Sequence, residues 1–94
     1  MNFTHLQYAV AVAKTGSISR AAQQLFVAQP YLSNTIKKLE NEIGYQIFDR
    51  TRSGIRLTPE GQEFISSAYK ILAELNKIKD ISSSRLESPL RIAT

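Results

Sequence analysis

The chain has 94 residues, a net charge of +4 at pH 7 and no cysteine. This length is enough for one domain, and the missing cysteines exclude a disulfide framework and a cysteine-based zinc site. No apolar run reaches the roughly 20 residues that a membrane-spanning helix needs, and the N-terminus lacks the pattern of a signal peptide, so we expect a cytoplasmic protein.

The excess positive charge lies in the first part of the chain. Residues 1–56 contain seven Lys or Arg against three Asp or Glu, whereas residues 57–94 contain five of each kind. Such segregation favours a polyanionic partner such as nucleic acid. On charge alone, a modestly basic domain whose side chains are simply solvated is an equally good interpretation.

Apolar spacing predicts two helices at the start of the chain. The apolar residues of 3–15 recur at intervals of three and four, and Gly16 follows as a stop signal. Ser17 is a favourable N-cap for a second helix over 18–25, in which two adjacent alanines allow another helix to approach closely.

A third helix is predicted over 29–43. Pro30 lies in its first turn, where the missing N–H costs nothing. Since only three residues separate it from the second helix, the two helices form a helix-turn-helix. One side is apolar, and the opposite side carries amides, a hydroxyl and a single cation: Gln29, Ser33, Asn34 and Lys37. The simplest alternative is that this polar side is merely solvated.

After Gly44 the pattern changes to short β-type runs at 47–48 and 55–57. They flank the sequence DRTRSG, which has turn chemistry and contains Arg50 and Arg52. We therefore predict a small hairpin with a basic tip.

The last helix begins after Thr58, which is a favourable cap before a proline, and is predicted to run to about residue 82 or slightly beyond. Apolar residues at heptad spacing form a seam along this helix, and a second apolar row flanks the seam. One row can therefore cover the domain core while the other meets a second chain. We expect a homodimer; the alternative is a long helix lying over its own small core. The predicted dimer interface is the seam itself, Phe64, Ala68, Ile71, Leu75 and Ile78.

No catalytic chemistry is apparent. His5 is the only histidine and cannot form a metal site alone, and no phosphate-binding glycine loop or nucleophile–base pair is visible. We therefore predict no enzyme activity, no metal and no cofactor. The predicted partner is double-stranded DNA, with amides reading adenine edges, lysines contacting phosphates and arginines entering the minor groove. The predicted contacts are Ser17, Ser19, Arg20, Gln29, Pro30, Tyr31, Ser33, Asn34, Lys37, Lys38, Arg50 and Arg52.

The motifs SISRAAQQL, AQPYLSNTIKKLE, GYQIFDR and LTPEG, in this order and spacing, resemble the N-terminal domain of LysR-type transcriptional regulators over residues 1 to about 85. The resemblance implies a mostly α fold: a winged helix-turn-helix of three helices and a β-hairpin wing over 1–58, then a linker helix for dimerisation over 59–87. It makes 88–94 the start of an effector-binding domain, through which alone a small-molecule effector would act.

The resemblance also implies a bacterial regulator that binds pseudo-palindromic promoter DNA as a homodimer, with a higher oligomer of the full-length protein left open. Three positions depart from the common family pattern. Ala28 replaces a serine, Asn34 replaces an arginine, and Ser53 stands where the wing arginine is often found. We expect altered base preference at Asn34. The alternative function is a winged-helix module that binds another protein, because a fold alone does not settle function.

Overall fold

The computed structural model describes residues 1–87, with the side chains of residues 1–81. Residues 88–94, which contain the predicted start of an effector-binding domain, lie outside the described residues. The architecture is mostly α with one two-stranded hairpin, which confirms the predicted fold class. The elements in chain order are α1 (Phe3–Thr15), α2 (Ile18–Leu25), α3 (Gln29–Ile43), β1 (Phe48–Thr51), β2 (Gly54–Leu57) and α4 (Pro59–Glu87).

Local signals determine where the first helices begin and end. The Asn2 side chain accepts a hydrogen bond from the His5 N–H at 2.9 Å, and the Ser17 hydroxyl accepts one from the Arg20 N–H at 3.2 Å. Gly16 ends α1 in the left-handed region at φ 68°, which glycine adopts without steric cost. The bounds of α1, α2 and α3 agree with the predicted ones.

The core lies where α1, α2 and α3 meet and where α4 crosses α1. Leu32, Ile36 and Leu39 of α3 are almost completely buried, and α1 contacts all three other helices. The adjacent alanines of α2, Ala21 and Ala22, are also buried, so α2 approaches its neighbours closely. Because the apolar side of α3 is buried in this core, its polar side faces solvent.

The hairpin is tighter than predicted. Strands β1 and β2 pair antiparallel with Phe48 opposite Leu57 and Arg50 opposite Ile55. The predicted six-residue turn is therefore reduced to 52–53, and Arg50 lies within a strand rather than at the tip. Glu40 ties the hairpin to α3, because its carboxylate accepts the N–H groups of Ile47 at 2.8 Å and Phe48 at 3.1 Å.

Helix α4 continues to Glu87, through the serine run at 82–84. The residues of the predicted dimer interface differ in exposure. Phe64 and Ala68 are buried in the domain's own core and have little surface to offer a partner, whereas Ile71 and Ile78 are 42% and 65% exposed. Within residues 1–87, no helix is both long and apolar enough to cross a membrane.

Candidate nucleic-acid interface

The polar side of α3 is presented to solvent because its apolar side is anchored in the core. Ser33 is half-buried, between the exposed residues that precede and follow it by one helical turn, Gln29 and Lys37. Residues four apart on a helix lie on the same face, so these three side chains form one row. The other predicted contacts on α3, Pro30, Tyr31, Asn34 and Lys38, are exposed as well.

Tyr31, in the first turn of α3, is supported from α1. Its ring packs edge-to-face on the Tyr8 ring, with centroids 6.3 Å apart and an interplanar angle of 80°. Burial, and then the neighbouring Tyr31 phenol, raise the pKa of the Tyr8 hydroxyl. The sequence reasoning missed Tyr8, because an aromatic residue beside the apolar stripe of α1 gives no sign of which helix it will face.

Two side chains join the hairpin to α3: Glu40, as described above, and Arg50. Arg50 Nη2 donates a hydrogen bond to Ser33 Oγ at 2.9 Å. Arg50 lies in strand β1, paired with Ile55, whereas Arg52 lies in the turn. The sequence predicted both arginines as DNA contacts without indicating that one of them touches α3.

Half of the predicted contacts surround one open concavity. It has a volume of about 590 Å³ and lies between the start of α2, the first residue of α3 and the hairpin. An adjoining concavity of about 690 Å³ lies beside the second half of α3, where Lys37, Asn41 and Gln46 border it. Arg50 borders both. The predicted residues around the first concavity are Ser17, Ser19, Arg20, Gln29, Arg50 and Arg52.

The cations of this surface are not neutralised by neighbouring acids. Within the described residues, the Lys and Arg side chains form one salt bridge with a carboxylate, Lys77 to Glu74 at 3.1 Å on α4, far along the chain from this surface. Arg20, Lys37 and Arg50 therefore keep their charge available for an external anion. Exposed cations set among amides and hydroxyls suit an interface that contacts both phosphates and base edges.

The described residues offer no alternative chemistry at this surface. No group of three His, Cys, Asp or Glu side chains within them converges in a way that could hold a metal ion. The Ser17 hydroxyl is engaged as the cap of α2, and the Glu40 carboxylate is engaged by two backbone N–H groups. Neither is arranged beside a partner that would make it a nucleophile or a general base.

Comparison with known proteins gives consistent matches. Residues 3–62 match the profile of the family described as "Bacterial regulatory helix-turn-helix protein, lysR family". The HTH-type transcriptional regulator ClcR of Pseudomonas putida is 36% identical over 96 residues, which cover 99% of this chain and 33% of ClcR. The chain thus spans about a third of the length of the regulators that it matches.

Several of the solved structures that resemble this chain contain DNA. A complex of the BenM DNA-binding domain with the catB site 1 DNA superposes with a TM-score of 0.87 at 36% identity, covering 92% of this chain and 96% of that one. A complex of the CbnR DNA-binding domain with DNA has a TM-score of 0.83 at 34% identity, covering 92% of this chain and 99% of that one.

Proposed function

Because this chain belongs to the LysR family of bacterial regulatory helix-turn-helix proteins, we propose that it is a sequence-specific DNA-binding domain that recognises promoter DNA. The observation that carries the proposal is the single surface formed by α3 and the hairpin, joined through Arg50 and Ser33. That surface is acid-poor, concave and wide enough to include the start of α2. We call α3 the recognition helix and residues 48–57 the wing.

In this proposal the N-terminal half of the recognition helix enters the major groove. The amides of Gln29 and Asn34 would read adenine there, and the rings of Pro30 and Tyr31 would offer apolar contact to a thymine methyl. Lys37, Lys38, Arg20 and the hydroxyls at the start of α2 contact phosphates, which position the protein without reading sequence. Arg50 and Arg52 extend the interface to the neighbouring backbone or minor groove.

We propose further that the chain binds DNA as a homodimer through α4. Beyond the core, α4 and Phe3 form an open apolar groove of about 310 Å³ with Ile71, Leu75 and Ile78. Its lining is almost entirely apolar, so water is an unfavourable occupant. A second copy is the occupant that suits an extended single helix, because two such helices cover each other's apolar stripe by symmetry. Phe3 was not predicted to belong to this interface.

The division of the chain follows the same proposal: 1–58 binds DNA, 59–87 links and dimerises, and 88–94 leads into an effector-binding domain that supplies any response to a small molecule. The relatives are named transcriptional regulators, and we propose that this chain likewise acts on DNA in the cytoplasm rather than as an enzyme. The oligomeric state of the whole protein would depend on both the dimerisation helix and the effector-binding domain.

Selection of bound duplexes from a random DNA pool, repeated at two salt concentrations, tests the proposal. We expect enrichment of an inverted repeat. If a dimer contacts about eight phosphates, the logarithm of the binding constant should fall against the logarithm of salt concentration with a slope of roughly −7. Raising salt from about 50 to 200 mM should then weaken binding roughly 10⁴-fold. Failure to enrich any sequence, together with a flat salt response, would instead favour a module that binds protein.

A pair of substitutions on the recognition helix separates base reading from phosphate contact. Gln29→Ala should cost about 1–3 kcal/mol on the selected site and relax the preference at one base pair, because a bidentate amide contact is lost. Lys38→Ala should weaken binding to all duplexes by a similar factor and reduce the salt slope by about one. Titration of the selected duplex and of its single-base variants gives both numbers. If Gln29→Ala binds the selected duplex and its single-base variants like the parent chain, the assignment of Gln29 as a base-reading residue is wrong.

A further inference from the structure

The hydrogen bond between the wing and the recognition helix has a fixed direction. Arg50 Nη2 lies 2.9 Å from Ser33 Oγ. A guanidinium group carries five N–H donors and no acceptor, so the serine oxygen must accept this bond. A hydroxyl has two lone pairs and one hydrogen. The contact therefore uses one lone pair of Ser33 and leaves its hydrogen and its second lone pair for other partners.

Within the described residues, the Ser33 hydrogen has no acceptor. A serine or threonine in a helix often donates to the carbonyl four residues earlier. Thr35 does so, since its hydroxyl donates to the Tyr31 carbonyl at 2.8 Å. Ser33 makes no corresponding bond to the carbonyl of Gln29. Within the described residues, its only hydrogen bond is the one from Arg50. Its hydroxyl lies in the same row as the exposed side chains of Gln29 and Lys37, on the surface that the proposed function assigns to DNA.

We propose that Arg50 is a positioning residue that makes Ser33 a hydrogen-bond donor toward the DNA. A serine hydroxyl that has no other partner can pair with either a donor or an acceptor on a base edge. It therefore discriminates poorly between bases. Because the Arg50 guanidinium already donates to this oxygen and carries a positive charge, a second N–H donor at the remaining lone pair is disfavoured, and Ser33 presents its hydrogen to the groove. The contact then favours acceptors such as guanine O6 and N7 or thymine O4, and disfavours the N4 amino group of cytosine. This inference deepens the proposed function and rests on it.

Arg52 provides a matched control for this role. It is the same residue type on the same wing, two positions along, but it lies in the turn and makes no recorded hydrogen bond to the recognition helix within the described residues. Both arginines can contact phosphate, so both substitutions should weaken DNA binding. Only the loss of Arg50 should change the base that Ser33 prefers.

The test measures binding of the selected duplex and of every single-base variant of it. The proteins are the parent chain, Ser33→Ala, Arg50→Ala, Arg52→Ala and the double variant with Ala at 33 and 50. Ser33→Ala and Arg50→Ala should each reduce discrimination at the same base pair, by roughly threefold to tenfold. The double variant should reduce it no further, because both changes remove one coupled contact. Arg52→Ala should lower affinity for all duplexes by one common factor.

A conservative variant distinguishes positioning from a general effect of charge. Arg50→Lys keeps a donor that can reach Ser33, and should restore part of the lost discrimination. Should Arg50→Ala instead lower affinity for every duplex equally and keep the parent's base preference, the inference is overturned while the proposed function stands. If the parent chain selects no sequence at all, the proposed function fails and this inference fails with it. Additive losses in the double variant would also overturn the coupling.

Discussion

Gly61→Ala is expected to lower the free energy of unfolding by about 3 kcal/mol, near the upper end of what overpacking a buried site costs. Gly61 lies in the first turn of α4, directly against the backbone of Ile47. An added Cβ would overlap the Ile47 carbonyl oxygen and lie 2.8 Å from its carbonyl carbon. Backbone cannot move aside as a flexible side chain can, so the start of α4 would have to shift away from Ile47.

That shift would also weaken the hydrogen bonds that hold this junction. The Thr58 hydroxyl accepts the Gly61 N–H at 2.8 Å, and the Thr58 N–H donates to the Ile47 carbonyl at 3.0 Å. Loss of this geometry would separate α4 from β1 as well as uncap the helix. We therefore expect the cost to exceed that of an ordinary glycine-to-alanine change, which in a helix is usually favourable.

Chemical and thermal denaturation followed by circular dichroism would measure the effect. For a chain of this size, a loss of about 3 kcal/mol corresponds to a fall of roughly 12–24 °C in Tm. Ser66→Ala is the matched control, since Ser66 is an exposed residue of α4 where no new atom meets the core. It should change stability by less than about 0.5 kcal/mol. A Gly61→Ala chain as stable as the parent would show that the close approach to Ile47 relaxes without cost.

Leu75→Asp is expected to weaken the dimer by roughly 100-fold or more, because a carboxylate without a partner would be buried at the α4 interface. In a two-fold symmetric dimer the substitution enters the interface twice, which enlarges its effect. Leu75 lines the apolar groove with Phe3, Ile71 and Ile78 but is not part of the hydrophobic core cluster. The monomer should therefore remain folded, and the change should act on association.

Sedimentation equilibrium of the parent chain and of Leu75→Asp, each over a range of concentrations, would measure the difference in dimer affinity. Asn76→Asp introduces the same charge one residue along, at an exposed position outside the groove, and should leave the dimer close to the parent. The DNA affinity of Leu75→Asp for an inverted repeat should fall with the dimer, since only one half-site can be held at a time. An undiminished dimer would mean that the second copy does not cover this groove.

Position along the apolar stripe explains why Leu75 is preferred to Phe64 or Ala68 for this test. All three belong to the same predicted seam, yet Phe64 and Ala68 are buried against the domain's own core. A charge at either position would unfold the monomer and say nothing about association. The predicted seam thus divides into an inner part that stabilises the domain and an outer part available to a partner.

The helices of the DNA-binding part were predictable because their signals are local. The caps at Asn2 and Ser17 and the left-handed glycines that follow α1 and α3 act on residues within one turn of themselves. Apolar periodicity identified the buried side of α3, and thereby its polar side, from the chain alone. The roles of individual side chains on that polar side stay predictions.

The strands and the last helix were less well determined by local signals. Residues 49–54 have turn chemistry throughout, and pairing across the hairpin, not composition, drew 49–51 into β1. The serine run at 82–84 is a weak helix former, yet α4 continues through it. Preferences of a few tenths of a kcal/mol per residue are too small to end a helix once it is established.

The sequence by itself determined the segregation of positive charge. It also determined the helix-turn-helix, the polar side of α3 and the amphipathic last helix, because each depends on residues a few positions apart. Only the tertiary structure decided which part of the seam is buried, that Tyr8 supports Tyr31, that Gly61 meets Ile47, and that Arg50 bonds to Ser33. Those two residues are 17 positions apart. Contacts of this kind depend on how whole elements pack, and a single sequence carries no local signal of that packing.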